Sequence, residues 1–371
     1  MKHLRFISLT MAFVLSAAML GGCSGSSSQN TTAAAAGTQT ADSQKAADAP
    51  AGTTAAAPAN AEYTFVAATP VSTDSVNHFI VYKAKELMEQ KSGGRVTINI
   101  FEAGQLGNDR EVIEGMQSGT IDFYITNSAT FVPFVPRTGI FDMPNVFPTL
   151  EIARKVLDGP IVDAVIPDYE EAGFKMFGFS DGGFRQTTSN KAFESLADFK
   201  GLKIRTMQNP YHLAYWNALG TSPTPMDMSE VYIGLQQGAI DAQENPYDII
   251  VGNKLYETQK YITETNHFIH ALTMMTSKAK YDTLPDDIKI IVEESVREEL
   301  QYGRQVADER MESRKQIVLD YGVTINEMSP ELYQEILDSI QPVYDMMREE
   351  IGADLVDMML EEVAKAEAEV K

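Results

Sequence analysis

Glu111–Asp122 reads EVIEGMQSGTID and Glu230–Asp241 reads EVYIGLQQGAID, with Glu, Val, Gly, Gln, Gly, Ile and Asp at the same places in both. In each copy, apolar residues at helical spacing stop at a glycine and a short strand-like run begins at once. Glycine tolerates the left-handed backbone just past a helix's last turn, so both copies read as helix, tight turn, strand. One common helix–strand joint used twice would look the same. On either account the chain carries two similar α/β units about 120 residues apart, and two lobes follow.

The flanks extend both units. Before the first copy, Tyr63–Ala68 reads as a strand, Phe79–Gln90 as a helix ending near Gly93-Gly94, and Arg95–Phe101 as a strand. The repeat adds a helix, Asp109–Gln117, and a strand, Ile121–Thr126, giving the alternation of a parallel α/β sheet. Around the second copy, Phe174–Phe179 and Leu202–Arg205 read as strands, a helix runs from Asn209-Pro210 to Gly220, and Ala239–Asp241 reads as a strand. From Pro285 onward Asp286–Ala307, Glu309–Tyr321 and Pro330–Val370 carry helical apolar spacing and are expected to pack across one or both lobes.

At the start of the chain, Lys2, His3 and Arg5 precede an apolar stretch, Phe6–Leu20, too short for a permanent transmembrane helix. It leads into Leu20-Gly21-Gly22-Cys23, small residues before the chain's only cysteine. This resembles the lipobox of bacterial lipoproteins, with residues 1–22 as signal peptide and Cys23 as the lipidated new N-terminus; an ordinary cleaved signal is the alternative. An exported protein whose one thiol lies at its processing site forms no internal disulfide. Residues 23–61, rich in Ser, Thr, Ala and Gly, lack the apolar bulk to fold and are expected to be a disordered tether. The folded part is then 62–371. The formal net charge is -22, from 52 acidic and 30 basic residues, which argues against nucleic acid and against anionic lipid as partners.

Signatures of catalysis are sparse. The chain has no Walker loop, no dinucleotide fingerprint and no His-Glu-x-x-His. His267 and His270 stand three apart without a cysteine or second pair to complete a metal-ligand set, so no metal or cofactor is expected. Gly178-Phe179-Ser180-Asp181-Gly182 does match Gly-x-Ser-x-Gly, but a nucleophile elbow must turn into a helix. The following Gly182–Thr188 favours a turn and a strand instead.

An anion site is more legible. Arg205 ends a short strand just before the Asn209-Pro210 helix start, and open α/β sheets bind ligands at such strand ends, where helix N-termini add backbone donors. Its planar fork can hold a carboxylate through two parallel hydrogen bonds; pairing with a structural acid is the plainer role. Asn245-Pro246 repeats the arrangement one unit later, its amide either capping the next helix or reaching a ligand. Arg185, within RQTTSNK, lies near the join between lobes, where small-molecule clefts form. Of Tyr215 and Trp216, at least one is expected in the core.

With those residues in view, the chain resembles the extracytoplasmic solute-binding subunit of tripartite ATP-independent periplasmic (TRAP) transporters. The likeness runs from about Tyr63 to the C-terminal helices. It is densest in FRQTTSNK (184–191), DFKGLKIR (198–205), SPTPM (222–226) and SEVYIGLQQGAIDAQENP (229–246), with GQLGNDRE (104–111) in the first lobe. The resemblance implies a two-lobed, periplasmic-binding-protein-like α/β fold with crossing strands, a long helix and a ligand cleft between the lobes. It implies capture of an organic acid for a sodium-driven permease, without catalysis. It makes Arg205 the arginine that grips the ligand carboxylate, Arg185 a second ligand arginine, and Asn245 the asparagine of the Gln-Glu-Asn-Pro motif. The match to sialic-acid-binding members breaks in the pocket. Asn127 stands where those members have a glutamate and Met228 where they have a phenylalanine, with Gln208 and Asn209 in the loop that gives another amide. Amides, hydroxyls and one acid, Asp109, suit a sugar acid such as a uronate or aldonate. A C4-dicarboxylate, with Arg185 as second cation, and a sialic-acid-like solute are the alternatives, and a sensor domain or a Ser180 hydrolase the other classes.

Overall fold

The computed structural model describes residues 61–370; the lipobox, Cys23 and nearly all of the expected tether lie outside them. The strands are β1 (Tyr63–Ala68), β2 (Val96–Phe101), β3 (Phe123–Asn127), β4 (Phe174–Lys175), β5 (Ser180–Phe184), β6 (Gln186–Ser189), β7 (Lys203–Thr206), β8 (Ser222–Pro225), β9 (Ala242–Asn245), β10 (Tyr261–Glu264), β11 (Ile269–Ser277) and β12 (Thr324–Glu327). They form two six-stranded sheets, one per lobe. The first is ordered β2-β1-β3-β11-β4 with β5 also on β11, and the second β12-β10-β6-β9-β7-β8. β1 runs parallel to β2 and β3, and β7 parallel to β8 and β9, as the alternation of strand and helix requires.

The two copies of the repeated phrase do the same work bond for bond. Helices Asp109–Gln117 and Met228–Gln236 each end in a glycine with positive φ, Gly119 (75°) and Gly238 (71°). Thr120 N–H donates to Gly115 C=O at 2.9 Å, and Ala239 N–H to Gly234 C=O at 2.9 Å. Asp122 then takes the Val66 N–H at 2.7 Å, and Asp241 the Lys203 N–H at 3.0 Å, stitching each unit to its neighbouring strand. Gly115 and Gly234 lie under Ile121 and Ile240, where an added Cβ would come within 2.9 and 3.3 Å of the isoleucine side chain. The shared Gly, Gly, Ile and Asp are thus the parts of one joint.

The lobes are joined three times. The chain leaves the first sheet between β5 and β6, where only Arg185 intervenes, and returns between β10 and β11. The two crossings bond each other, Arg185 N–H to Phe268 C=O at 2.9 Å. The third link is the helix Asp286–Tyr321, whose 36 residues span about 54 Å. It packs on helix Val76–Ser92 of the first lobe and on helix Tyr247–Gly252 of the second.

Several expected boundaries shift, each for a local reason. The long helix is one element because nothing breaks it at Asp308, whose carboxylate faces outward to pair with Arg154. Pro330–Val370 is three helices, Pro330–Ser339, Gln341–Ile351 and Ala353–Val370, parted near Ile340 and at Gly352 with its φ of 102°. Ala239–Asp241 belongs to the turn, and the strand starts at Ala242. Of the strand expected over Phe174–Phe179 only β4, Phe174–Lys175, forms, and Gly178, at φ 140°, lies in the link to β5. β12 was hidden in a helical stretch; it is a short edge strand beside β10.

Glu299, on the long helix, is fully buried, and neither carboxylate oxygen has a hydrogen-bond partner among the described residues. Burial raises its carboxyl well above the usual range, so it is held protonated. A carboxyl raised on folding favours the fold while protonated, and that contribution fades as pH rises from the unfolded carboxyl's range toward the folded one. Replacing it by an apolar side chain of similar size, Glu299→Leu, is therefore expected to raise the melting temperature. The gain should be larger at about pH 8 than at about pH 5, read by differential scanning calorimetry. A melting temperature lowered at both pH values would contradict the buried, unpartnered carboxyl.

Candidate ligand-binding site

Between the sheets lies a cleft that includes Asp109, Asn127, Arg185, Arg205, Met228 and Asn245 in its lining. Beside Arg205 it adjoins a second space, where Gln208 joins Asp109 and Met226. Asp109 and Met228 hold equivalent places, each the first residue of its repeat helix, so both helix N-termini face the cleft. Their N-caps meet across it, Asn108 Nδ2 donating to Asp227 Oδ2 at 3.3 Å. Positive helix ends on two sides favour an anion between them.

Four arginines are buried among the described residues: Arg185, Arg205, Arg304 and Arg314. Arg185 pairs with Glu244, Arg304 with Asp158, and Arg314 with Asp74 and Asp248. Among the described residues, Arg205 has no carboxylate within ion-pair distance. Its Nε and Nη2 donate to Met226 C=O at 2.8 and 2.6 Å, which fixes the plane of the guanidinium. The outer edge, Nη1 and the second Nη2 hydrogen, remains unused, and that edge fits a carboxylate with two parallel bonds. Burial pulls Arg205 down to about 10, which still leaves it charged at neutral pH. Asp109 lies in its electrostatic range but is occupied by the Tyr124 hydroxyl, and burial raises its carboxyl.

Arg185 is the opposite case. Its Nε and Nη2 grip both Glu244 oxygens, Nη2 also reaches Glu244 C=O at 2.7 Å and Asn245 Oδ1 at 3.0 Å, and Nη1 meets His270 Nδ1 at 2.8 Å. Burial pushes the Glu244 carboxyl up, but Arg185, His212 and His267 override it and hold it well below the usual range. The pair is a neutral unit sealed from water, 1 % and 0 % exposed.

The remaining residues sort clearly. Asn127 ends β3, its Oδ1 accepting from Ala129 N–H and its Nδ2 turned to His270. Asn245 is not a cap: its Nδ2 donates to Gln243 Oε1 at 2.7 Å, and the next helix starts after Pro246 without a side-chain cap. Asn209 is fully buried and spent as the cap of helix Pro210–Ala218, with its Nδ2 on Asp142 and Ala129 C=O, so it stands behind the cavity wall. Gln208 is exposed at the mouth. Tyr215 and Trp216 are both core. Met207, Thr130, Asn77 and His270 also line the cleft and were not picked out as site residues. They come from four separate stretches of the chain, and only His270 had shown in the sequence, as one of two histidines three apart. Ser180 is no elbow: it opens strand β5, its Oγ is buried without a hydrogen-bond partner among the described residues, and a Cβ on Gly303 of the long helix would come within 2.5 Å of it.

Two sheets joined by crossing strands and one long helix, with a buried, charge-unpaired guanidinium in the cleft, define a two-lobed binding protein for an anionic solute. Residues 67–350 match the bacterial extracellular solute-binding protein family 7, and the chain belongs to that family, the solute-binding proteins of TRAP transporters. A solute-binding protein of Verminephrobacter eiseniae is 40 % identical over 203 residues, 54 % of this chain and 60 % of that protein, so the match spans less than two thirds of its length. The crystal structure of a sugar acid binding protein of Advenella mimigardefordensis in complex with galactonate is 26 % identical, with a TM-score of 0.79 over 82 % of this chain and 98 % of its own. A TRAP periplasmic solute-binding protein of Shewanella oneidensis with bound succinate is 27 % identical, with a TM-score of 0.78 over 81 % and 99 %.

Removing Glu244 would strand Arg185 as an uncompensated buried charge. Glu244→Ala is expected to cost about 3–5 kcal/mol of unfolding free energy, measured by urea denaturation. A loss below about 1 kcal/mol would mean that the pair is not the closed unit described.

Proposed function

We propose that this chain captures a small hydroxylated monocarboxylate, a sugar acid such as an aldonate or uronate, and delivers it to a sodium-coupled TRAP permease while tethered to the membrane through lipidated Cys23. The observation that carries the ligand class is Arg205, the one buried arginine among the described residues without a carboxylate partner. A solute carboxylate completes it. Around that anchor the lining is amide, hydroxyl and thioether, from Asn127, Asn245, Thr126, Thr130 and Met228, with Asp109 at the edge. Such groups bond hydroxyls and supply no further positive charge. The galactonate complex of the Advenella relative supports this reading.

A C4-dicarboxylate, as in the succinate-bound relative, is the second candidate. Its other carboxylate would need a second available cation. Arg185 has its charge cancelled by Glu244, which weighs against the dicarboxylate. Asn127 and Met228 occupy the places of the glutamate and phenylalanine expected of sialic-acid binders, which weighs against such a solute.

The mature protein, titrated by isothermal calorimetry with galactonate, gluconate, galacturonate, succinate and sialic acid, is expected to bind a sugar acid most tightly, saturably and without turnover. Arg205→Ala is expected to lose at least about 100-fold in affinity, the equivalent of about 3 kcal/mol, with its melting temperature nearly kept. Arg205→Lys, charged but without the fork, should fall between. Undiminished affinity in Arg205→Ala would refute the anchor, and tighter binding of succinate than of every sugar acid would refute the ligand class.

A further inference from the structure

His270 is the side chain of the cleft that the binding chemistry above leaves unused. It sits on β11, is 6 % exposed, and lines the same cavity as Arg205. Its Nδ1 lies 2.8 Å from Arg185 Nη1 and 2.6 Å from Asn127 Nδ2. A guanidinium has donors only, so Nδ1 must accept. The Asn127 amide is oriented independently, because its Oδ1 accepts from the Ala129 N–H at 2.8 Å and so leaves the NH2 for the ring. Arg185 in turn is fixed by Glu244 and Asn245 and cannot swing away to free Nδ1. A neutral imidazole whose Nδ1 accepts carries its proton on Nε2. Burial, with the Arg185 charge next to it, keeps His270 well below the ordinary histidine range, so the ring stays neutral at neutral pH. Cδ2 faces Gly182, where an added Cβ would come within 2.9 Å. Nε2 has no protein partner among the described residues.

We propose that the Nε2–H of His270 is a fixed hydrogen-bond donor of the ligand site and selects, among carboxylate solutes, those that place a hydroxyl or carbonyl oxygen against it. This rests on the sugar-acid reading and sharpens it: Arg205 takes the charge, and His270 tests the carbon chain for oxygen. A donor that cannot rotate or change tautomer discriminates strongly, because a solute lacking the oxygen leaves it desolvated and unpaired. Arg185 then acts as a positioning residue, working on the solute through the imidazole whose tautomer it imposes.

The two ends of the ring can be tested apart. An asparagine amide reaches the place of Nδ1 but not of Nε2, and a glutamine amide the reverse. His270→Asn therefore keeps a partner for Arg185 and removes the donor, while His270→Gln returns a donor to the Nε2 position. D-Galactonate and its 2-, 3- and 4-deoxy derivatives are titrated by calorimetry into the wild-type protein and both variants. The wild type is expected to bind one deoxy derivative about 10-fold more weakly than galactonate. His270→Asn should lose about 10-fold for galactonate yet bind that same derivative as the wild type does, and His270→Gln should recover most of the loss. Nitrogen-15 spectra of histidine-labelled free protein should show the Nε2–H tautomer of His270 from about pH 6 to pH 8. An Nδ1–H or imidazolium signature, or equal losses for galactonate and every deoxy derivative in His270→Asn, overturns the proposal. Should Arg205→Ala abolish binding while the His270 variants leave selectivity untouched, this inference alone falls; intact binding in Arg205→Ala brings down the reading beneath it.

Discussion

Arg185 stands between β5 and β6, where the chain leaves one sheet for the other, and its guanidinium closes on Glu244 of β9 in the second. Taking two ions out of water costs several kcal/mol each, so such a pair persists only where geometry and further hydrogen bonds offset the loss. Here they do: both carboxylate oxygens are held by the fork, His267 Nε2 adds a contact at 3.0 Å, and the Glu244 carbonyl takes another guanidinium hydrogen. The pair ties the crossing strand to the second sheet. It also sets a carboxylate against the Arg185 charge and aims Nη1 at His270. Among the described residues the pair leaves over, in this cleft, a buried guanidinium without a carboxylate partner, Arg205, and an oriented imidazole, His270.

The lobes also meet on two sides of the cleft, through different groups on each. On one, Asp248 of the second lobe accepts the Val76 N–H of the first at 2.7 Å, while Arg310 and Arg314 of the long helix hold it together with Asp74. Gly252 ends its helix against the Asp74 carbonyl, where a Cβ would sit only 2.5 Å away, so that joint admits no side chain. On the other side the repeat itself makes the contact, Asn108 to Asp227, equivalent caps of equivalent helices. Lobes brought together at both rims keep water from Arg205, and a charge in such surroundings acts on a bound anion far more strongly than one in bulk water.

Much of the fold was legible because periodicity and punctuation are local. β1 and the helix Asp109–Gln117 fall where apolar spacing places them, and the repeated phrase turned out to encode a joint whose glycines and aspartates have stated bonds. Other readings failed where a boundary was not marked by the residues themselves. β12 is a strand because β10 offers it an edge, and the two segments of the long helix are one because no glycine or proline at Asp308 interrupts the backbone ladder. In the site, motif residues were readable, yet their duties were not. Arg185 and Arg205 look alike along the chain, and only the position of Glu244 makes one a structural ion and the other a free one. Asn209 showed its capping signal plainly and is a cap alone. His270 showed only as one of two histidines three apart, and its duty was not readable, since its tautomer is set by residues 85 and 143 positions away.

A net charge of -22 repels an anion at long range, and the conflict with anion capture is resolved by distance. At physiological ionic strength surface charges are screened over about 8 Å, so most of the acidic surface contributes little inside the cleft. Within it the balance is different: Glu244 is cancelled by Arg185, Asp109 is bonded by Tyr124 and raised by burial, and two helix N-termini point inward. Arg205 is therefore the charge a solute meets at close range. A single fixed cation can serve any carboxylate, so it supplies affinity without choosing among acids. Choice has to come from neutral groups that are held rigid, because only a group that cannot turn to suit its partner penalises the wrong one. In this cleft Asn127 and Thr130 are held by backbone groups and the His270 ring by Arg185, and it is to such fixed neutral groups that our proposal assigns the choice among acids.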